Sequence, residues 1–211
     1  MKQLIIAGFS SPEGHPPNSA ELIIRDANSR ILGTHRCHSE VFPASTPESW
    51  ERRGDALFAK AITWKASAIL CLNTVASADG LRIQTIACNW MENATPPRPI
   101  DPMWTHNEEV AISLDAWNLD RFMGLAKDND MPVHISYKAV DSLTNHLMYQ
   151  MHCAQQDSPV YARIPWIAVD IPHVPESIPE PTKTFYETHS TVMQLSQIVR
   201  CLELLLINSS C

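Results

Sequence analysis

This chain lacks the features that would suit it to nucleic acid or to a lipid surface. Its 211 residues hold 16 lysines and arginines against 23 aspartates and glutamates, a formal charge of −7. That balance leaves no basic footprint for nucleic acid or an anionic membrane. No apolar run approaches the length that spans a bilayer, and there is no internal repeat or low-complexity linker. The opening stretch MKQLIIAGFSSPEG has one lysine and a short apolar run, but Phe9 and Pro12 stand where a signal peptide would carry small residues. It reads as a first buried strand, and the expected compartment is the cytoplasm.

Metal-binding and disulfide patterns are missing too. The six cysteines (Cys37, Cys71, Cys88, Cys153, Cys201 and Cys211) form no CxxC pair, and the nine histidines form no HxxxH or HExxH set. This scatter argues against structural zinc, a disulfide framework and a metal-based site. No metal and no cofactor are expected. Cys71 and Cys88 fall in apolar, strand-like runs, where a cysteine behaves as a small hydrophobe.

What is present is the pattern of a globular α/β chain. Apolar residues make up 45% and charged residues 18%, enough for one sizeable core, so residues 1–211 are expected to form a single domain. Short apolar runs alternate with helical periodicity. KQLIIAGF, THRCHSEVF, ASAILCLN, LRIQTIACNW, PVHISY and RIPWIAVDIP read as strands. NSAELIIRDANS, TPESWERRGDALFAKAITWK, NLDRFMGLAKDND, SLTNHLMYQMHCAQQ and HSTVMQLSQIVRCLELLLIN read as helices. The second of these carries a start signal in Thr46, Pro47 and Glu48. NATPPRPIDP, with four prolines, reads as an irregular loop.

In open α/β sheets the carboxyl ends of the strands form the ligand crevice. Four segments fall there: the loop after Phe9, the NTVASADG stretch, Thr144 at a strand-to-helix turn, and His173 after the last strand. A hydroxyl at a helix start with a histidine 29 residues further on (173 − 144) fits the general nucleophile-and-base arrangement. The same residues fit an ordinary first helical turn and a surface loop. Local physics alone leaves both open.

Four stretches, in order and at compatible spacings, resemble the pyroglutamyl peptidase I (pyrrolidone carboxyl peptidase) family of cysteine peptidases. Gly8, Phe9 and Asn18 match its opening, and QTIACN (84–89) matches E-R-V-A-x-N through Ala87 and Asn89. PVHISYKAVDSLTNHLMY matches P-V-x-x-S-x-x-A-G-x-x-x-C-N-x-x-x-Y through Pro132, Val133, Ser136, Ala139, Asn145 and Tyr149. His173, Val174 and Pro175 match H-V-P. The resemblance covers about residues 4–205. It implies a three-layer α/β/α sandwich around a mixed, mostly parallel sheet, release of N-terminal pyroglutamate by a Cys-His-Glu triad, and an oligomer, dimer or tetramer.

Carried over position by position, the triad is degenerate. Thr144 stands at the cysteine, Gln84 at the glutamate, and only His173 is retained. Ser11 and Pro12 replace the last two residues of G-F-x-P-F. Thr74 and Ala78 replace the glutamine and arginine of the G-Q-A-G-G-R loop, Ala94 stands at a further arginine near Arg98, and Val140 replaces a glycine. The catalytic positions are thus Thr144, His173 and Gln84, and the substrate-contacting ones Phe9, Pro12, Asn18, Thr74, Asp141 and Asn145. Threonine has no readily ionised form comparable to a thiolate. An amide in place of the orienting carboxylate lowers turnover about 10⁴-fold in the serine-protease template, although its carbonyl still accepts a ring N–H. The favoured reading is a non-catalytic or small-ligand-binding homologue. The alternative is a repurposed enzyme acting on a small amide, lactam or amino-acid derivative through His173 and Thr144, with Asp141 or Asp170 as a new carboxylate. Residual pyroglutamyl cleavage ranks last.

Overall fold

The computed structural model describes residues 1–43, 52–75, 78–91, 97–100, 108–138, 143–178 and 192–210. Strands β1 (Lys2–Phe9), β3 (His35–Phe42), β4 (Ala68–Thr74) and β9 (Trp166–Ile171) run parallel at the centre of a seven-stranded sheet of order β2-β3-β1-β4-β9-β5-β8. Strand β2 (Ile31–Leu32) pairs antiparallel to β3, and β5 (Leu81–Gln84) antiparallel to β9, while β8 (Val133–Ser136) is parallel to β5. Their continuous Val, Ile, Leu and Ala content is what a sheet covered on both faces requires.

Strand alternation divides the core into two layers. Leu4, Ile6, Leu70, Leu72, Ile167 and Val169 face helices α1 (Ser19–Ala27), α3 (Leu119–Asp128) and α5 (Leu195–Asn208). Ile5, Ala7, Phe9, Ile69, Cys71 and Ala168 face α2 (Arg53–Thr63) and α4 (Leu143–Asp157). The result is the expected three-layer sandwich with a mixed, mostly parallel sheet. Close approach of the first layer depends on Gly8, where a Cβ would lie 2.4 Å from the Leu72 carbonyl oxygen and 2.7 Å from Ile24 Cδ1.

Two sequence expectations change in detail. LRIQTIACNW is not one strand: the chain leaves the main sheet after Gln84, and β6 (Ile86–Cys88) pairs with β7 (Glu109–Ala111) in a separate two-stranded sheet. Thr85 makes the break. Its N–H and hydroxyl both reach Ser136 O, and its carbonyl accepts from Ile112 N at 2.9 Å. Gln84 and Cys88 therefore lie on different strands. The C-terminal helix begins later than its apolar periodicity suggests, because Val192 bridges His173 and Met193 N donates to His173 O before α5 starts. In the second helix, the described part begins at Arg53 behind Arg52 in the left-handed region (φ 61°). The start signal at Thr46–Glu48 lies outside the described residues, as do Ala94, Ala139, Val140 and Asp141.

Candidate functional site

The carboxyl end of β1 is tied to the start of α1 by one side chain. Asn18 caps α1, its Oδ1 accepting from Glu21 N at 2.9 Å, and its Nδ2 donates to Phe9 O at 3.0 Å. An Asn cap satisfies a helix amide that otherwise has no partner. The hydroxyl of Thr74, at the end of β4, donates to the same Asn18 Oδ1 at 3.1 Å and accepts from Ala20 N at 2.8 Å. Phe9, Asn18 and Thr74, three of the residues singled out in the sequence, thus belong to one cluster. In it the two side-chain groups serve the α1 cap. Pro12 is exposed in the following turn, its carbonyl accepting from His15 N.

The Phe9 ring is not open to its surroundings. It packs at 5.9 Å on Phe42, its register partner on β3, and the Arg53 guanidinium lies 5.3 Å from one ring centre and 5.1 Å from the other. Arg53, at the start of α2, also donates to Pro43 O. Guanidinium faces stack well on aromatic rings. The sequence offered no signal for this contact, which joins residues 44 positions apart.

Thr144 is the second residue of α4 and is buried, 3% exposed. Its neighbour Asn145 acts as a clamp. Its Oδ1 accepts from Cys88 N at 2.7 Å, and its Nδ2 donates to Cys88 O at 3.0 Å and Trp90 O at 3.3 Å, so the start of α4 is fixed to the end of β6. The next residue, His146, is buried with its Nε2 2.9 Å from Gln150 Nε2. Gly54 N donates to Gln150 Oε1 at 3.4 Å, which turns the amide so that its nitrogen donates to the imidazole. Burial, followed by the Arg53 and Arg98 charges, pushes the His146 pKa down to about 4. His146 is neutral at physiological pH.

Gln84 ends β5 and is 3% exposed. Its Nε2 donates to Asp170 Oδ2, and Asn73 Nδ2 donates to Asp170 Oδ1 at 3.0 Å. Asp170 is 1% exposed and lies opposite Arg82 across the β5–β9 register. Burial raises its pKa, against the lowering effects of the Asn73 and Gln84 hydrogen bonds and of the Arg82 charge. The amide at position 84 is thus committed to a carboxylate on the next strand.

His173 follows β9, half-buried, with burial lowering its pKa. Its Nδ1 lies 3.1 Å from Ser177 Oγ. Gln84 was the ring-nitrogen partner expected from the sequence, but the contact described here is to a serine hydroxyl four residues ahead. Ser177 in turn meets Ser19 Oγ at 3.0 Å, so the histidine is linked to the start of α1 and its Asn18–Thr74 cluster.

Among the described residues no group of three His, Cys, Asp or Glu side chains could hold a metal, and no helix is long and apolar enough to cross a membrane. A cavity of about 500 Å³ lined by Ser67, Asp115, Gln155, Arg163 and Trp166 lies at the amino ends of β4 and β9, away from all these residues.

Comparison with known proteins agrees with this architecture. The family model for pyroglutamyl peptidase matches residues 2–208. Pyroglutamyl peptidase I from Bacillus amyloliquefaciens superposes with a TM-score of 0.77 at 18% identity, covering 99% of this chain and 95% of the other. Pyrrolidone carboxyl peptidase from Thermococcus litoralis gives 0.76 at 18%, covering 99% and 93%. A mutant pyrrolidone carboxyl peptidase from Pyrococcus furiosus gives 0.76 at 17%, covering 98% and 97%. No curated protein matches.

Proposed function

Because this chain belongs to the pyroglutamyl peptidase family, we propose that it is a member without cysteine-peptidase activity that binds a small amide or pyroglutamyl-type ligand. The observation that carries this reading is the pairing of Gln84 with Asp170. At the position where the family resemblance places the orienting carboxylate, a buried amide is held by another residue's carboxylate, while Thr144 stands in place of a thiol. Polar groups of similar size keep the hydrogen bonding of the fold while removing an ionisable nucleophile and the charge that would stabilise an imidazolium. A cytoplasmic location and a dimeric or tetrameric assembly go with the same reading.

Phe9, Pro12, Asn18, Thr74, Asp141 and Asn145 are the proposed ligand-proximal positions, with Thr144, His173 and Gln84 at the former catalytic ones. The test is a thermal-shift screen over pyroglutamate, glutamine derivatives and small lactams, since a ligand that binds only the folded state raises its melting temperature. A shift that is lost in Thr74→Val and His173→Ala supports the reading. No shift with any of these compounds contradicts it.

A second reading is supported by one feature of His173. Burial keeps its pKa below the ordinary value, so it is a neutral base at physiological pH. In that version Thr144 is the nucleophile of a repurposed amide or lactam hydrolase and His173 accepts its proton. Turnover of a small lactam or amino-acid amide, abolished in both Thr144→Ala and His173→Ala, distinguishes it from the binding reading.

A further inference from the structure

Two contacts fix the direction of α4 over the sheet. Near the helix end, Gln155 Oε1 accepts from Trp166 Nε1 at 2.9 Å, at the amino end of β9. One turn earlier, Met151 Sδ lies 3.8 Å from Cys71 Sγ, and Cys71 is the register partner of Ala168, further along β9. Going back along α4 therefore leads towards the carboxyl end of β9. Thr144 precedes Met151 by seven residues (151 − 144), about 10 Å of helix, or roughly three residues of strand. That carries it past Ala168 to the level of Asp170. Thr144, Leu147, Met148 and Met151 form one buried stripe at i, i+3, i+4 and i+7, and the last three pack on the sheet. Asp170 has the strand parity of Ala168, so it faces α4. Its two oxygens accept from Asn73 and Gln84, and two amide donors suit the ionised form. Arg82, its register partner on β5, is the charge that acts on it, and Arg82 also lies 3.9 Å from Asp79. On the α4 side, the Arg53 and Arg98 charges act on His146. His173 meets Ser177, and through it Ser19 of α1, which covers the opposite face of the sheet.

We propose that Asp170 is the ionisable group that faces position 144 from the sheet, and that its carboxylate opposes a second anion there. An imidazolium beside a thiol favours the thiolate, whereas a carboxylate disfavours it. A threonine hydroxyl is compatible with such a neighbour, since it donates a hydrogen bond without ionising. The same charge makes the site selective: it suits a ligand that brings an N–H, such as a lactam or amide, and repels a ligand carboxylate. This deepens the proposed function and rests on it only in taking position 144 as part of the site.

A titratable group placed at 144 tests this. In Thr144→Cys, ¹³Cβ labelling of cysteine adds one resonance, whose shift follows the thiol-to-thiolate change through a pH titration of the full chain. An ordinary cysteine titrates near about 8.5. The thiol at 144 is expected to titrate above that value. Adding Asp170→Asn is expected to lower its midpoint by about one pH unit or more. Asp170→Ser does the same with a smaller neutral side chain, should the amide not fit between its two donors. Adding His173→Ala is expected to leave the midpoint where it was. Burial alone keeps the thiol high in every background, so a midpoint unmoved by loss of the Asp170 charge overturns the inference. So does a midpoint below 8.5 that rises in His173→Ala, which would put the imidazole beside position 144, as the hydrolase reading requires. Neither ligand nor turnover enters the measurement, so a blank ligand screen and a failure here are separate results.

Discussion

Gln84 reaches Asp170 diagonally across the β5–β9 pair, where their register partners are Ala168 and Arg82; the Gln84 amide nitrogen donates to one carboxylate oxygen while Asn73 donates to the other. Asp170 is the one carboxylate of this buried cluster, and both its oxygens already accept hydrogen bonds. Gln84→Glu places a second carboxylate against the first, and two such groups cannot both ionise without strongly raising one pKa. We expect a loss of about 3 kcal/mol or more at pH 8, measured by urea unfolding. The sign follows from linkage: a carboxyl whose folded pKa is raised costs stability above its unfolded pKa, so the penalty shrinks as pH falls towards about 5 and the pair takes up a proton. Adding Asp170→Asn restores a single charge and is expected to recover most of the loss. Additive losses in the double variant would show that the two positions do not share a charge.

Asn145 clamps the backbone at the end of β6. Its side chain takes both the N–H and the C=O of Cys88 and reaches Trp90 O. Asn145→Ala strands these part-buried groups and is expected to cost about 2–3 kcal/mol. Asn145→Asp, which retains the acceptor and loses the donor, should be destabilised as well. Denaturant midpoints of the two variants check this. A change of under about 0.5 kcal/mol in Asn145→Ala would mean that β6 is held by other contacts.

His146 gives the protein an acid-sensitive limb. Its folded pKa of about 4 lies below the ordinary histidine value of 6.5, so between those values the unfolded chain binds a proton that the folded chain does not. Stability from this group is complete above pH 6.5 and falls by about 1.4 kcal/mol per pH unit as pH drops towards 4. His146→Gln, which keeps an acceptor for Gln150, is expected to flatten that part of the pH–stability curve. An unchanged slope would place the sensitivity elsewhere.

The α2–α4 contact beneath these residues has no room for a methyl group. A Cβ on Gly54 would lie 2.8 Å from Met151 N and 2.9 Å from the Gln150 carbonyl carbon. Both neighbours are backbone, so relief requires the helices to separate. Gly54→Ala is expected to cost about 1–3 kcal/mol despite alanine's better helix propensity. A neutral or stabilising effect in thermal melts would show that the helices yield.

Periodicity and strand character located most of the architecture because the central strands and amphipathic helices announce themselves locally. β1 begins and ends where its apolar run does, and α1 falls inside the helical stretch NSAELIIRDANS. The break at Thr85 was not legible, since LRIQTIACNW alternates without interruption and only the pairing of Thr85 with Ser136 and Ile112 ends the strand. For the candidate site, motif spacing singled out positions 84, 144 and 173, but not how their side chains are satisfied. Ser177 contacts His173 from a neighbouring turn, and Ser19 joins it from 158 residues away. Arg53 covers Phe9 from across the fold. Such contacts are set by tertiary geometry and leave no local pattern.

The central claim is that the family fold persists here without its peptidase chemistry, and fluorogenic pyroglutamyl-aminomethylcoumarin tests it most directly. With purified protein at neutral pH, the account predicts release no faster than the protein-free control and no difference between wild type and Thr144→Ala. Turnover above the control that disappears in Thr144→Ala and in His173→Ala would contradict it.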